Sequence, residues 1–174
     1  MVVKRCLLVL VIMGLTFLFT STAHPATKSE IASLRGLTGV RVAVEDLRTE
    51  IKKDLPFDED QIRVDVELEL TMAGIKVLSE EERIKTPGNP HLYVNLTIKR
   101  LLNMPIFYFD IEIDLRQGVY LDRNPNINLI GTTWETGVTG VIGNDKVSEI
   151  RNVIKDKLDI FIDDYLSVNP KGEK

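Results

Sequence analysis

The chain has 174 residues, a formal net charge of −4, 28% charged residues and one cysteine, Cys6. Residues 1–23 read as a secretory signal peptide; their removal takes Lys4 and Arg5 and no acid, which moves the net charge from −4 to −6. An acidic domain without a basic run is a poor partner for nucleic acid or an anionic membrane surface, since both are met by Lys and Arg. A mature chain without cysteine excludes disulfides, thiol catalysis and cysteine metal sites.

The signal has three parts. Lys4 and Arg5 form the positive region, Leu7 to Phe19 the apolar run, and Ser21-Thr22-Ala23 a small-residue cleavage site ahead of His24. A membrane anchor would need roughly 20 apolar residues to cross the hydrocarbon, and this run is shorter. No cysteine follows the apolar run to take a lipid. The reading is therefore export to the periplasm, with extracellular release as the alternative, and no stable membrane insertion after cleavage. Small exported eukaryotic domains usually carry disulfides, so a cysteine-free one fits a bacterial envelope. What remains is long enough for one domain with its own core.

In chain order, residues 24–37 read as an N-terminal tether with a short helical turn, and residues 38–170 as a single α/β domain. Val40, Val42 and Val44 alternate with polar or small residues, as in a half-buried strand. From Gln61 to Ala73 two signals compete. Ile62, Val64, Val66, Leu68, Leu70 and Met72 alternate like a strand. The boundaries say helix: Asp58 caps with Gln61 three residues on, Phe57 and Ile62 form a hydrophobic staple, acids crowd the first turn, and Gly74 stands at the stop. Ile62, Val66, Leu70 and Ala73 also make a helical stripe, and the boundaries decide for helix.

Ile75 to Leu78 reads as a short strand, Ser79 to Glu82 as a second capping box, and Thr86 to Pro90 as a loop. Leu92, Val94, Leu96 and Ile98 share one strand face, and Phe107, Phe109, Ile111, Ile113 and Leu115 another. With Asn103 and Pro105 between them they predict an antiparallel hairpin. Gly118 is expected at a bulge or bend, Asp122 to Asn128 in a turn, and Ile130 to Val138 in a last strand. Val147, Ile150, Ile154, Leu158, Phe161 and Tyr165 predict a long C-terminal helix, capped by Asn144 or Asp145 and ended before Pro170. The order β-α-β-β-β-β-α implies an α+β two-layer sandwich: a mixed four- to five-stranded sheet with two main helices on one face.

The polar constellations are weak. Asp110, Glu112 and Asp114 share one strand face, as a calcium-binding edge would. A solvated face opposite the core row, paired with Lys99 or Arg100, explains them as well. Tyr93, Asn95 and Thr97 join them as a possible interaction surface if the strands register as the pattern suggests. Gly137, Gly140 and Gly143 precede the last helix, as an anion cradle would, but lack the Lys-Ser/Thr of a phosphate loop, and a strand end with bulges or a flexible turn is the better reading. His24 and His91 do not make a zinc site, and no serine stands in a nucleophile elbow. The residues imply no cofactor and no catalytic group.

Five runs, "LRGLTGVRVAVEDL", "DVELELTMAGIKVLSEEE", "TPGNPHLYVNLTI", "RQGVYLDRNP" and "DDYLSVNPK", together resemble a group of uncharacterised small exported bacterial proteins. The resemblance spans Leu34 to Lys171 and implies an envelope location and a helix at 61–73, with no activity attached. In outline only, the architecture is similar to the N-terminal domain of TolB and to curli-secretion and lipopolysaccharide-transport assembly modules, and architecture does not fix function. The leading expectation is a non-enzymatic periplasmic module that binds another envelope component through its sheet edge or polar sheet face. A small-ligand or calcium-binding protein is the second reading, and an enzyme with an unrecognised site the third.

The signal reading has a direct consequence. N-terminal sequencing of the exported protein is expected to begin at His24; a chain still carrying Met1 in the envelope fraction would contradict cleavage.

Overall fold

The computed structural model describes residues 26–47, 52–101 and 104–170. The signal segment, His24, Asn103 and Lys171 lie outside these residues. Four helices and four strands make up the unit: α1 (Lys28–Ser33), β1 (Arg41–Val44), α2 (Glu59–Met72), α3 (Glu80–Lys85), β2 (His91–Arg100), β3 (Ile106–Leu121), β4 (Asn124–Gly143) and α4 (Ile150–Val168). The sheet order is β1-β2-β3-β4, with β1 and β2 parallel and the other pairs antiparallel. The fold is thus the expected α+β type with a mixed sheet of four strands.

The competition at residues 61–73 resolves as helix. The Asp58 carboxylate accepts from the Gln61 N–H at 2.9 Å, both staple residues are buried, and Gly74 takes a positive φ of 82° just past the last turn. Only every second apolar residue, at every fourth position, then reaches the core. Ile62, Val66 and Leu70 are buried, whereas Val64, Leu68 and Met72 lie on the opposite side and are exposed. The second capping box forms as well, Ser79 and Glu82 satisfying one another's backbone N–H groups at 3.2 and 2.9 Å.

The core lies between one face of the sheet and the two long helices. Leu92 to Ile98 on β2 and Phe107 to Leu115 on β3 meet Ile62, Val66 and Leu70 of α2 and Ile150, Ile154, Leu158 and Phe161 of α4. The two helices are tied by Arg151 to Asp65 (2.7 and 2.8 Å) and Lys155 to Glu69 (2.7 Å). A groove of about 420 Å³ runs along this seam, with Ile62, Val66 and Leu158 as its floor. Among the described residues, no helix is long and apolar enough to cross a membrane.

Five local expectations are corrected. First, residues 26–37 are docked rather than a tether: Leu34 is fully buried, Ser33 Oγ donates to the Thr133 carbonyl (3.0 Å), and Tyr165 donates to the Leu37 carbonyl (2.7 Å). Second, Ile75–Leu78 contributes a single parallel bridge, Val40 to Val77, because the capping box at Ser79 turns the chain away. Third, the turn between β3 and β4 is only Asp122-Arg123. Asn124 already pairs with Leu121, and Pro125 sits where an edge strand needs no N–H. Fourth, the bulges fall at Leu115/Arg116 and Tyr120/Leu121 rather than at Gly118, which pairs with Ile130 beside Gly88. The Gly118 N–H donates to the Gly88 carbonyl at 2.6 Å. Fifth, α4 is entered through a 3-10 turn over Asn144–Glu149 and has no side-chain cap, the tighter turn taking up the N–H groups that Asn144 or Asp145 would have met.

The α2 register separates helix from strand at single residues. Leu70→Ala is expected to cost about 2–5 kcal/mol, and Leu68→Ala no more than about 0.5 kcal/mol, in urea unfolding. Equal losses at the two positions, as a strand would give, would contradict this register.

Candidate interaction face

The β3 alternation builds the site. Phe107, Phe109, Ile111, Ile113 and Leu115 are buried toward the helices. Their period of two sends Asp110, Glu112 and Asp114 to the other face. The β2 register places Thr97 beside Asp110, Asn95 beside Glu112 and Tyr93 beside Asp114. From β4, Thr139, Gly137 and Glu135 complete the same three rows. All six residues singled out in the sequence therefore lie together on one sheet face.

The contacts within the face are local. Thr139 donates its hydroxyl to Asp110, and Asn95 donates to Glu112 at 3.2 Å. Asp114, although on this face, is buried beneath Arg116, whose Nε and Nη2 donate to it at 3.2 and 2.7 Å. The Arg116 guanidinium also lies 3.6 Å from the centroid of the Tyr93 ring, a stacked cation–π contact. Lys99 and Arg100 do not pair with these acids. Lys99 stands opposite Tyr108, and Arg100 lies over Phe107 and reaches Asp54 at 3.8 Å, because the register carries both beyond the acidic rows.

A shallow depression of about 260 Å³ lies over Gly137, rimmed by Asp110, Glu112, Asp114 and Glu135. Calcium binds through six to eight converging oxygens. Here the acids run in a line, and three of them already hold a protein donor. Among the described residues, no group of three or more His, Cys, Asp or Glu side chains is placed to hold a metal ion. The glycine run is not a cradle at a helix start. Gly137 and Gly140 lie inside β4, and the Phe109 ring occupies the space that a Cβ on Gly140 would need, at 2.6 Å.

Comparison with family models, curated proteins and solved structures finds no match. The face is therefore read from its own chemistry, which is acidic at the centre and basic at one end. At that end His91 begins β2, with Arg41 of β1 and Arg116 of β3 as its cross-strand neighbours. Sequence inspection leaves this histidine isolated, because the partners come from strands 50 residues earlier and 25 later. Burial pushes its pKa below the ordinary value of 6.5; the Asn89 carbonyl pulls it up, and Arg83, Arg116 and Arg41 press it down further.

A histidine held neutral in the folded state contributes stability above its unfolded pKa. That contribution is lost as pH falls below about 6.5 and through the folded value, since the unfolded chain takes up the proton more readily. His91→Gln is accordingly expected to reduce the loss of stability between about pH 7 and pH 5. Parallel stability profiles for the variant and the parent over that range would contradict the assignment.

Proposed function

We propose that this protein is an exported, non-enzymatic binding module of the bacterial envelope, acting in the periplasm and engaging another envelope protein through the polar face of its sheet. One observation carries the reading. Both long helices pack on the opposite face, and no described element covers rows Tyr93–Asp114–Glu135, Asn95–Glu112–Gly137 and Thr97–Asp110–Thr139. Mixed polar faces that include an aromatic and an arginine suit protein contact, where Tyr and Arg are enriched. Four carboxylates in the middle of the face call for a partner surface rich in Lys or Arg. The export signal, the absence of catalytic motifs in the sequence and the similarity in outline to envelope-assembly modules support the same reading.

Charge reversal tests it. Glu112→Lys with Glu135→Lys is expected to abolish one defined crosslinked species in envelope fractions while leaving the circular dichroism spectrum unchanged. Asp156→Lys with Asp159→Lys, on the exposed side of α4, should leave that species intact. Equal capture by both variants, or equal loss from both, would contradict binding through the polar face.

A further inference from the structure

Four basic side chains gather at the end of this face in a domain that is acidic as a whole. Arg41, His91 and Arg116 form one cross-strand row, on strands about 4.7–4.9 Å apart. Arg83 reaches the same place from α3. Protonation of His91 would set like charges directly opposite one another, which destabilises a sheet, and these side chains are partly exposed, so core packing does not demand them. Local conflicts of this kind concentrate where a ligand resolves them. Two acids offset the arginines only in part. Glu80 meets Arg41 at 2.8 Å and Arg83 at 2.6 Å, and Asp114 meets Arg116 at 2.7 Å. Three guanidinium groups against two carboxylates leave positive charge in surplus even with His91 neutral.

The donors are also held in place. Arg116 is fixed on the Tyr93 ring, and the Asn89 carbonyl lies 3.4 Å from both Arg83 Nη1 and His91 Nδ1. Asn89 is the one non-glycine residue among those described with a positive φ, 47°. With its side-chain amide oriented to satisfy both groups, its nitrogen donates to the Arg83 and Ile84 carbonyls at 3.1 and 3.0 Å and anchors the loop to the end of α3. Among the described residues, no hydrogen-bond acceptor meets the terminal amino groups of Arg41, Nη1 of Arg116 or Nε2 of His91.

We infer that the Arg41–His91–Arg116 row, closed by Arg83, binds a compact tetrahedral oxyanion of the sulfate or phosphate type, and that His91 takes up a proton as the anion arrives. Guanidinium forks match such oxygens in pairs. The charged groups around the imidazole are Arg41 from β1, Arg116 and Asp114 from β3, and Glu80 and Arg83 from α3. A bound dianion reverses the sign of that surrounding and favours the imidazolium. The site stands whether or not the acidic rows bind a protein.

Sulfate is the probe, since it keeps its charge across the range, and the readout is an NMR titration of the full mature chain at constant ionic strength. Added sulfate is expected to shift the His91 ring and the Arg41 and Arg116 guanidinium signals. It should bind roughly three- to tenfold more tightly at about pH 5.5 than at about pH 8, each unit of rise in the His91 pKa giving at most about tenfold. Arg41→Gln with Arg116→Gln should lose the binding. If that variant does not fold, His91→Gln serves instead: it should keep binding at high pH and lose the rise at low pH. A vesicle arm identifies the source of the group. Capture by phosphatidylglycerol vesicles that sulfate competes away assigns a lipid phosphate, and sulfate binding without vesicle capture assigns a soluble one. Shifts that bypass His91, equal affinity at both pH values, full binding by the double variant, or vesicle capture that sulfate does not compete would each overturn the inference.

Discussion

One constraint organises the molecule: the apolar row of β3 is buried on a single face. Phe107, Phe109, Ile111, Ile113 and Leu115 are all essentially inaccessible to water. A strand places successive side chains on opposite faces, and a slip of one residue would exchange the two sets. Burying this row therefore forces Asp110, Glu112 and Asp114 outward. The register with β2 and β4 then supplies their neighbours, so the core and the polar face arise from the same constraint. Gly140 belongs to it as well, because the Phe109 ring needs the space opposite.

The carboxyl-terminal helix closes the other layer and holds the beginning of the domain. Trp134 is wholly buried, donates from Nε1 to Asp164 at 2.9 Å, and stands edge-on to Phe161 with centroids 5.1 Å apart. One turn on, Tyr165 bonds to the Leu37 carbonyl, and Asn169 accepts from the Gly36 N–H (2.8 Å) and donates to the Leu34 carbonyl (2.9 Å). Tyr165 and Asn169 thus act as a latch on residues 34–37. Asp164, Tyr165 and Asn169 have structural partners, which explains them without assigning a binding role.

Much of this architecture is legible in local pattern, and the exceptions have physical causes. The α2 segment reads correctly because caps and staples act at fixed offsets, whereas its alternation places half the apolar residues in water. The turn at Asp122 reads too long because Asn and Pro are turn formers in isolation, and a ribbon with solvent on both sides accepts them. The acidic row and its β2 neighbours are visible because antiparallel hairpins carry their register in the chain. The meeting of Arg41 with the His91–Arg116 pair is not visible, since the parallel pairing of β1 with β2 leaves no local signature. The docking of residues 26–37 depends on hydrogen bonds to residues 165 and 169 and escapes the sequence for the same reason.

The central claim is that the polar sheet face is open in the isolated protein and covered at its place of work. Carbodiimide footprinting read by mass spectrometry compares the two directly. Glu112 and Glu135, exposed on this face, should label readily in the purified protein and several-fold more slowly in intact envelopes, while Asp156 and Asp159 on α4 label alike in both. Equal labelling of Glu112 and Glu135 in the two preparations would contradict the account.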